Sequence, residues 1–197
     1  SETVSEILVL VDHTDGAVRK TTTELLTLAR RLGEPAAVFI GSGAVQATPV
    51  LGAFGATKVY VADAPDLGDY LVAPKAEVLA AVAGTASPAA VLISSSPEGK
   101  EIAGRLAVKL GSGILTDAVD VEAGADGGVL TTQSVFAGSW TVQAKVTHGV
   151  PIVTVKPNAV TPAEAAARPS VEPVRVELSE AAIAAKDYEG DYQGIPV

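Results

Sequence analysis

Four short runs of aliphatic residues in the first half of the chain constrain its fold most strongly. Polar residues do not alternate with the apolar ones in these runs, so neither face of such a strand is suited to water. The runs are Ile7–Val11, Ala36–Ile40, Val59–Ala62 and Ala90–Ile93. This pattern is typical of strands that are covered on both faces, and it predicts a parallel sheet.

Segments with helical periodicity separate these runs. In Val18–Leu32 the apolar residues recur on one face, and in Pro97–Leu110 they do so again, with Ser96 placed to cap the helix. Further helices are predicted near Ala44–Phe54 and Leu71–Ala83. Strands alternating with helices imply right-handed crossovers. We therefore predict an α/β fold with a doubly wound, mostly parallel sheet and helices on both faces.

The pattern changes after Gly113, where strands follow one another without helices between them. These strands are predicted at Ala118–Glu122, Val129–Phe136, Thr141–Thr147 and Ile152–Lys156. Val129–Thr132 and Thr141–Lys145 have the pattern of a hairpin, because two β-rich runs flank a short segment that contains glycine. We expect an antiparallel hairpin extension on the sheet, with Ile152–Lys156 returning as a core strand.

Composition divides the rest of the chain. We predict an α/β core domain over residues 1–156 and a Pro/Ala-rich connection over residues 157–173. An edge strand at Val174–Leu178 and a short helix at Ser179–Lys186 are assigned to the same domain. Residues 187–197 are predicted to form a peripheral tail.

The residue counts exclude several classes of function. The chain has 197 residues, no Cys, only two His and a formal net charge of −9. It therefore has no disulfide and no thiolate metal site, and its charge is unsuited to nucleic acid. The longest early apolar run is too short for a secretory signal or a membrane helix, so we expect a cytoplasmic protein without membrane insertion.

Three loops are predicted to meet at the carboxyl edge of the sheet, where doubly wound folds bind ligands. They are Asp12–Gly16, Gly41–Gly43 and Ser94–Lys100. Gly-rich turns, serine hydroxyls and a helix N-terminus suit a phosphate or a nucleotide. The candidate residues for a nucleotide crevice are Asp12, Gly41, Ser42, Gly43, Ser94, Ser95 and Gly99. The motif is incomplete because Gln46 replaces the third glycine of a dinucleotide fingerprint, and turns and helix caps explain the same residues.

Two other candidate sites compete with ordinary structural roles. Asp12, His13 and a serine of Ser94–Ser96 suggest a hydrolytic triad, but no nucleophile elbow surrounds these serines. The acidic loop with Asp63, Asp66 and Asp69 lacks the spacing of a calcium loop. We therefore assign no catalytic or metal-binding residue and predict a binding or assembly module.

Two aromatic residues near the bend of the hairpin are candidates for an interface. Phe136 and Trp140 either anchor a partner protein there or cap the core of the sheet itself. The sequence leaves both roles open.

Five ordered segments together resemble the N-terminal domain of the electron transfer flavoprotein α subunit, or FixB, family. They are ILVLVDHTDGAVRKTTTELLTLARRLG, GATKVYVAD, SSSPEGKEIAGRLAVKLGSGILTDAVDVE, TQSVFAGSWTVQAKV and PIVTVKPNA. The resemblance implies a fold of the adenine-nucleotide α-hydrolase type. It also implies a heterodimer with a homologous β subunit that holds AMP, and FAD in a C-terminal domain of the α subunit. Such heterodimers carry electrons from acyl-CoA and other dehydrogenases, as in fatty acid β-oxidation, to a quinone oxidoreductase.

The sequence departs from that family pattern at its C-terminal end. It reaches Val197 without the Ser-Gly-Arg-Gly turn and the later Gly-rich FAD motifs, so we expect the FAD domain and its site to be missing from this chain. The resemblance then implies a scaffold that pairs with the β subunit and keeps the crevice as a vestigial site. The alternative is a stand-alone nucleotide-binding module resembling universal stress proteins.

Overall fold

A computed structural model describes residues 3–63, 72–135 and 137–180, and in these ranges nine strands form one sheet and two form a small ribbon. The strands are β1 (Glu6–Leu10), β2 (His13–Thr14), β3 (Ala17–Val18), β4 (Glu34–Ile40), β5 (Lys58–Ala62), β6 (Ala90–Ser94), β7 (Ile114–Ala123), β8 (Val129–Val135), β9 (Trp140–Lys145), β10 (Ile152–Val155) and β11 (Ser170–Pro173). The helices are α1 (Lys20–Ala29), α2 (Ala44–Ala53), α3 (Val72–Ala86) and α4 (Pro97–Leu110).

The large sheet has the order β11-β5-β4-β1-β6-β10-β7-β8-β9. All neighbours from β11 to β7 pair in parallel, whereas β8 and β9 continue the sheet with antiparallel pairing. This confirms the predicted α/β class, the mostly parallel sheet and the hairpin extension. It also confirms that the strand beginning at Ile152 returns to the core, between β6 and β7.

Burial on both faces explains why the central strands lack alternating polar residues. In β1, Ile7 and Val9 face a core cluster shared with α1 and α2, whereas Leu8 and Leu10 face a second cluster shared with α3 and α4. Consecutive side chains point to opposite faces of a strand, so each position needs an apolar residue. The sheet therefore separates two cores, one on each side.

Local signals define α4 at both of its ends. Ser96 is the N-cap, and its Oγ accepts a hydrogen bond from the Gly99 amide at 2.9 Å. Gly111 ends the helix in the left-handed region at a φ of 59°. The predicted range Pro97–Leu110 is confirmed, because capping residues and the apolar stripe specify the same boundaries.

Helix α1 begins later than its periodicity predicts. The apolar pattern includes Val18 in this helix, but Val18 pairs with His13 in the ribbon formed by β2 and β3. The turn between these two strands contains Gly16 at a φ of 88°. Since the ribbon holds Val18 in an extended conformation, the helix begins only at Lys20.

The Pro/Ala-rich segment that follows β10 lies fixed against α1 and α2. The Asn158 amide donates to the buried Glu24 carboxylate at 2.8 Å, and the Ala165 and Ala167 amides donate to the carbonyls at the end of α2. The segment then enters β11, which pairs with β5. We call residues 157–169 the strap.

The edge strand lies earlier in the chain than predicted. The strand comprises Ser170–Pro173, whereas Val174–Leu178 contains no strand. Val174, Val176 and Leu178 pack against the core on the side of α3 and α4, and this packing explains their alternation with charged residues. Most of the predicted helix Ser179–Lys186 and the tail 187–197 lie outside the described residues.

The order in which strands are added to the sheet reverses at β1. Strand β4 follows on one side of β1, and β6 is later added on the other side. The connections that leave the carboxyl ends of β1 and β6 therefore diverge, which leaves a crevice between them. Within the described ranges, no helix has both the length and the apolar character needed to cross a membrane.

Candidate functional site

A cavity of about 360 Å³ opens between the carboxyl ends of β1 and β6. Aliphatic side chains at the strand ends and on α4 form its floor, and mostly polar residues of the strand ends, the connecting loops and the first turns of α3 and α4 form its rim. The floor includes Leu10, Val11, Ile40, Ile93 and Ile102, and the rim includes Asp12, His13, Arg19, Lys75, Ser94, Ser96, Pro97, Glu98 and Gly99. The volume is in the range of small-molecule sites.

Of the seven predicted crevice residues, the structure brings three to this cavity: Asp12, Ser94 and Gly99. The glycines that follow β4 serve the fold instead. Gly43 lies so close to Gly16 that a side chain on either would overlap the backbone of the other loop. The Ser42 hydroxyl donates to the Asp15 carboxylate at 3.1 Å.

The other two residues also make contacts away from the cavity. The Gly41 amide donates to the Ala62 carbonyl at 3.0 Å and so continues the pairing of β4 with β5. The Ser95 hydroxyl donates to Asp117. The sequence pattern alone did not separate these roles from a role in the crevice, because Gly-rich turns serve both.

Asp12 organises the loop that follows β1. Its Oδ1 accepts from the Arg19 guanidinium at 2.7 Å, and its amide donates to the Thr22 hydroxyl at 2.8 Å. Both partners belong to the start of α1 or the residue before it. The carboxylate that lines the cavity is thus paired with a cation of the same wall.

The N-terminus of α4 already carries its own polar partners. Ser96 caps the Gly99 amide, and Pro97 has no amide hydrogen to offer a ligand. Glu98 places a carboxylate in the first turn, where the helix dipole favours negative charge, and it pairs with Lys75 of α3 at 2.6 Å. The two cations and two carboxylates of the rim therefore balance in charge, which reduces the attraction of this cavity for a phosphate group.

His13 is held by backbone groups on both ring nitrogens. Nδ1 accepts from the Gly16 amide at 3.1 Å, so the proton lies on Nε2, which donates to the Ile40 carbonyl at 2.7 Å. The ring also stacks on Phe39, with centroids 3.9 Å apart. His13 therefore fixes the β2–β3 ribbon against β4, a role that fits a structural residue better than a catalytic base.

A second polar cluster lies beside the cavity, where β6 and β10 end. The Asp117 carboxylate accepts from the Ser95 hydroxyl and pairs with Lys100 at 2.9 Å, and the Asp117 amide donates to the Thr154 hydroxyl at 3.0 Å. The bond from Ser95 and, next, the Lys100 ammonium lower the pKa of Asp117 from its ordinary value. Sequence patterns did not reveal this cluster, because its members come from four separate elements.

Only some of the remaining candidate residues lie in the part of the chain that the structure describes. Trp140 is 67% exposed at the start of β9, whereas Phe136 lies outside the described residues. Asp63 follows β5, and Asp66 and Asp69 also lie outside the described residues, so the calcium alternative stays untested.

Comparison with known proteins identifies a family. The model of the electron transfer flavoprotein domain matches residues 7–181. The electron transfer flavoprotein subunit alpha of Mycobacterium tuberculosis strain H37Rv is 45% identical over 181 residues, which cover 91% of this chain and 55% of the relative. The same subunit of Mycobacterium leprae is 46% identical over 179 residues, which cover 89% and 54%.

A more distant relative carries a different name. The lactate dehydrogenase (NAD(+),ferredoxin) subunit LctC of Acetobacterium woodii is 28% identical over 138 residues, which cover 68% of this chain and 33% of the relative. The chain spans about half the length of the mycobacterial relatives that it matches.

Proposed function

The chain belongs to the electron transfer flavoprotein domain family, and from this premise we propose that it acts as the N-terminal scaffold domain of an α subunit. The observation that carries the proposal is the similarity to α subunits along 91% of the chain. In this role the chain pairs with a β subunit and supports a flavin that is bound elsewhere in the heterodimer. It is then an electron carrier subunit without catalytic residues of its own.

The redox group belongs, in this proposal, to the part of an α subunit that this chain does not match. FAD is bound there, and AMP is bound by the β subunit. The complete heterodimer takes electrons from acyl-CoA and other dehydrogenases in the cytoplasm, including those of fatty acid β-oxidation, and passes them to a quinone oxidoreductase. The family relationship supports these assignments, and the balanced charges around the cavity are consistent with a chain that binds no nucleotide itself.

The β8–β9 hairpin supplies a surface for the partner subunit. The register places Val135 opposite Trp140 and Gln133 opposite Val142, so these side chains share one face of the extension. On the same face of β8, Val129 belongs to the core cluster shared with α1 and α2. Farther along this face the apolar residues emerge, with Trp140 67% and Val142 49% exposed. An exposed Trp is typical of interface anchors, and Val142 adds exposed apolar surface beside it.

A binding measurement with a matched control tests the proposal. The 197-residue chain is titrated with the β subunit of the same organism, and the complex is followed by analytical ultracentrifugation. We expect a one-to-one complex and, for the double variant Trp140→Ser with Val142→Thr, an affinity reduced by about tenfold or more. The control is Val45→Ser, which changes a residue that is 91% exposed on α2, toward the other end of the sheet.

Two results would contradict this proposal. Failure of the unaltered chain to bind the β subunit would remove the scaffold role. Equal loss of affinity in the hairpin variant and the Val45 control would remove the assigned surface while leaving the pairing itself.

The cavity favours one second candidate, a stand-alone nucleotide-binding module. It has the volume of a small-molecule site and lies at the switch point of the sheet. A ligand that binds only the folded state at about 100 times its Kd stabilises that state by about 2.7 kcal/mol. Thermal unfolding with AMP, adenosine or inorganic phosphate separates the two candidates, because the scaffold proposal predicts no increase in Tm and the nucleotide module predicts a clear one with AMP.

A further inference from the structure

Strand β7 changes partners and direction at a bulge. In its pairing with β10, the step from Leu115 to Ala118 matches a step of only two residues, from Val153 to Val155. In its pairing with β8, the step from Ala118 to Asp120 matches a step of one residue. Strand β7 therefore contains an extra residue on each side of Ala118, an arrangement that bends a strand and increases its twist.

Asp117 occupies this bend in an unusual backbone conformation. Its φ is 57°, in the left-handed region that residues other than glycine rarely adopt, although Asp and Asn tolerate it better than most. Strained residues persist where the surrounding structure determines their conformation through several contacts. The bend thus depends on what holds Asp117 in place.

Three neighbouring elements hold Asp117. Its amide donates to the hydroxyl of Thr154, which is fully buried on β10. Its carboxylate accepts from Ser95, which follows β6, and pairs with Lys100 of α4. The pair with Lys100 is partly exposed and contributes little alone, so the contacts to the two hydroxyl groups are the more important ones. Together they attach the start of the bend to the rigid parallel part of the sheet.

The bend also determines which part of the hairpin is left uncovered. The β7–β8 pairing ends where Ala118 lies opposite Gln133, whereas β8 continues to pair with β9 as far as Val135 and Trp140. The end of the β8–β9 hairpin therefore extends beyond the last residue pair between β7 and β8, and that pair lies at the bulge. Trp140 lies on this overhanging part.

We infer that Asp117 is a positioning residue. It sets the direction of the antiparallel extension, which consists of β8, β9 and the part of β7 after Ala118, and it thereby presents Trp140 to a partner subunit. The second half of this inference rests on the proposed function. The first half concerns this chain alone, because the bend and its contacts all lie within it.

Two variants and one control test the inference. Asp117→Gly keeps the left-handed backbone accessible and removes every side-chain contact. Asp117→Asn keeps an oxygen that accepts from Ser95 and loses the charge next to Lys100. The control is Asp126→Asn, which removes another carboxylate of the same extension that pairs with a lysine, Lys145.

The readouts are amide hydrogen exchange along the chain and the fluorescence anisotropy of Trp140, the single tryptophan. For Asp117→Gly we expect exchange in β8 and β9 to accelerate by about tenfold, the anisotropy of Trp140 to fall, and the protection of β1 to stay within about twofold of the unaltered chain. For Asp117→Asn and Asp126→Asn we expect the exchange rates of amides in β8 and β9 to stay within about threefold of those of the unaltered chain.

Affinity for the β subunit provides a separate readout. We expect Asp117→Gly to weaken binding by about tenfold and Asp126→Asn to change it by less than about threefold. Unchanged exchange in β8 and β9, or an equal loss of protection in β1, would overturn the positioning role. If exchange changes as expected but the unaltered chain does not bind the β subunit, the positioning role stands and the proposed function fails.

Discussion

Two glycines of α4 respond in opposite ways to the same substitution. A methyl group at Gly99 would come too close to the Ser94 carbonyl oxygen. It would lie about 1 Å nearer than 3.0 Å, the shortest contact that Cβ atoms make, and it would also crowd the Ile93 side chain. A methyl group at Gly104 meets no atom within 4 Å. Gly99→Ala and Gly104→Ala therefore test the same chemical change in one helix, with and without room for it.

The expected magnitudes follow from these surroundings. To accommodate a methyl group at Gly99, the first turn of α4 has to move away from β6 by about 1 Å, which disturbs the bond from the Gly99 amide to Ser96. Overpacking of this kind costs about 1–3 kcal/mol, and loss of an N-cap bond costs about 1 kcal/mol more. Replacement of a helical glycine by alanine returns about 1 kcal/mol at either site. We expect Gly99→Ala to lose about 1–3 kcal/mol and Gly104→Ala to gain about 0.5–1 kcal/mol.

Thermal unfolding followed by far-UV circular dichroism measures both effects. In a chain of this size 1 kcal/mol changes Tm by about 2–4 °C, so the two variants should differ by roughly 3–16 °C with Gly99→Ala the lower. Urea unfolding provides a second measure of the free energy difference. If Gly99→Ala equals or exceeds the unaltered chain in stability, the close approach of α4 to β6 is wrong.

Three further predictions concern buried or paired charges. Glu24→Ala removes the acceptor for an amide of the strap and should lower the free energy of unfolding by about 1–3 kcal/mol in urea, whereas Glu34→Ala, at an exposed position, should change it by less than about 0.5 kcal/mol. Burial and then the Glu6 carboxylate raise the pKa of Tyr60 to about 12, so its tyrosinate absorbance should appear after the ordinary range near 10, and Tyr60→Phe should remove this late step. The part of the free energy of unfolding that is linked to Tyr60 is fully present below pH 10 and declines as the pH approaches 12. A titration in which all four tyrosines ionise in the ordinary range would contradict the raised pKa of Tyr60. Because the pKa of Asp117 is lowered in the folded chain, its contribution to the free energy of unfolding is present above the ordinary carboxyl pKa of about 4 and is lost as the pH falls through the folded value. Asp117→Asn should therefore make the free energy of unfolding depend less on pH in the acid range.

The fold was predictable where the signals were local. Helix α4 has its cap, its apolar stripe and its terminal glycine within 16 residues of one another, and its boundaries were predicted without error. The central strands were predictable because burial on both faces leaves a continuous apolar run. The ribbon that shortens α1 was missed, since β2 and β3 have two residues each and leave no periodic pattern.

The candidate site was predictable only in outline. The carboxyl edge of the sheet was expected from the alternation of strands and helices, and the cavity lies there. The individual roles were not predictable from spacing. Gly43 packs against the loop that contains Gly16, and Ser95 binds Asp117, which lies 22 residues away in the sequence.

Hydrophobic periodicity, helix caps and family motifs are each formed by residues that are close together in the sequence. Most strands and helices, and the family resemblance, could therefore be inferred without coordinates. The folded chain was needed to show that Lys75 neutralises Glu98 at the cavity, that Glu24 holds the strap, and that Asp117 sits at the bend beneath the hairpin. Lys75 and Glu98 are 23 residues apart in the sequence, and Glu24 and Asn158 are 134 residues apart. Such pairs depend on the order of the strands in the sheet, and that order is set by packing of the whole chain rather than by any one segment.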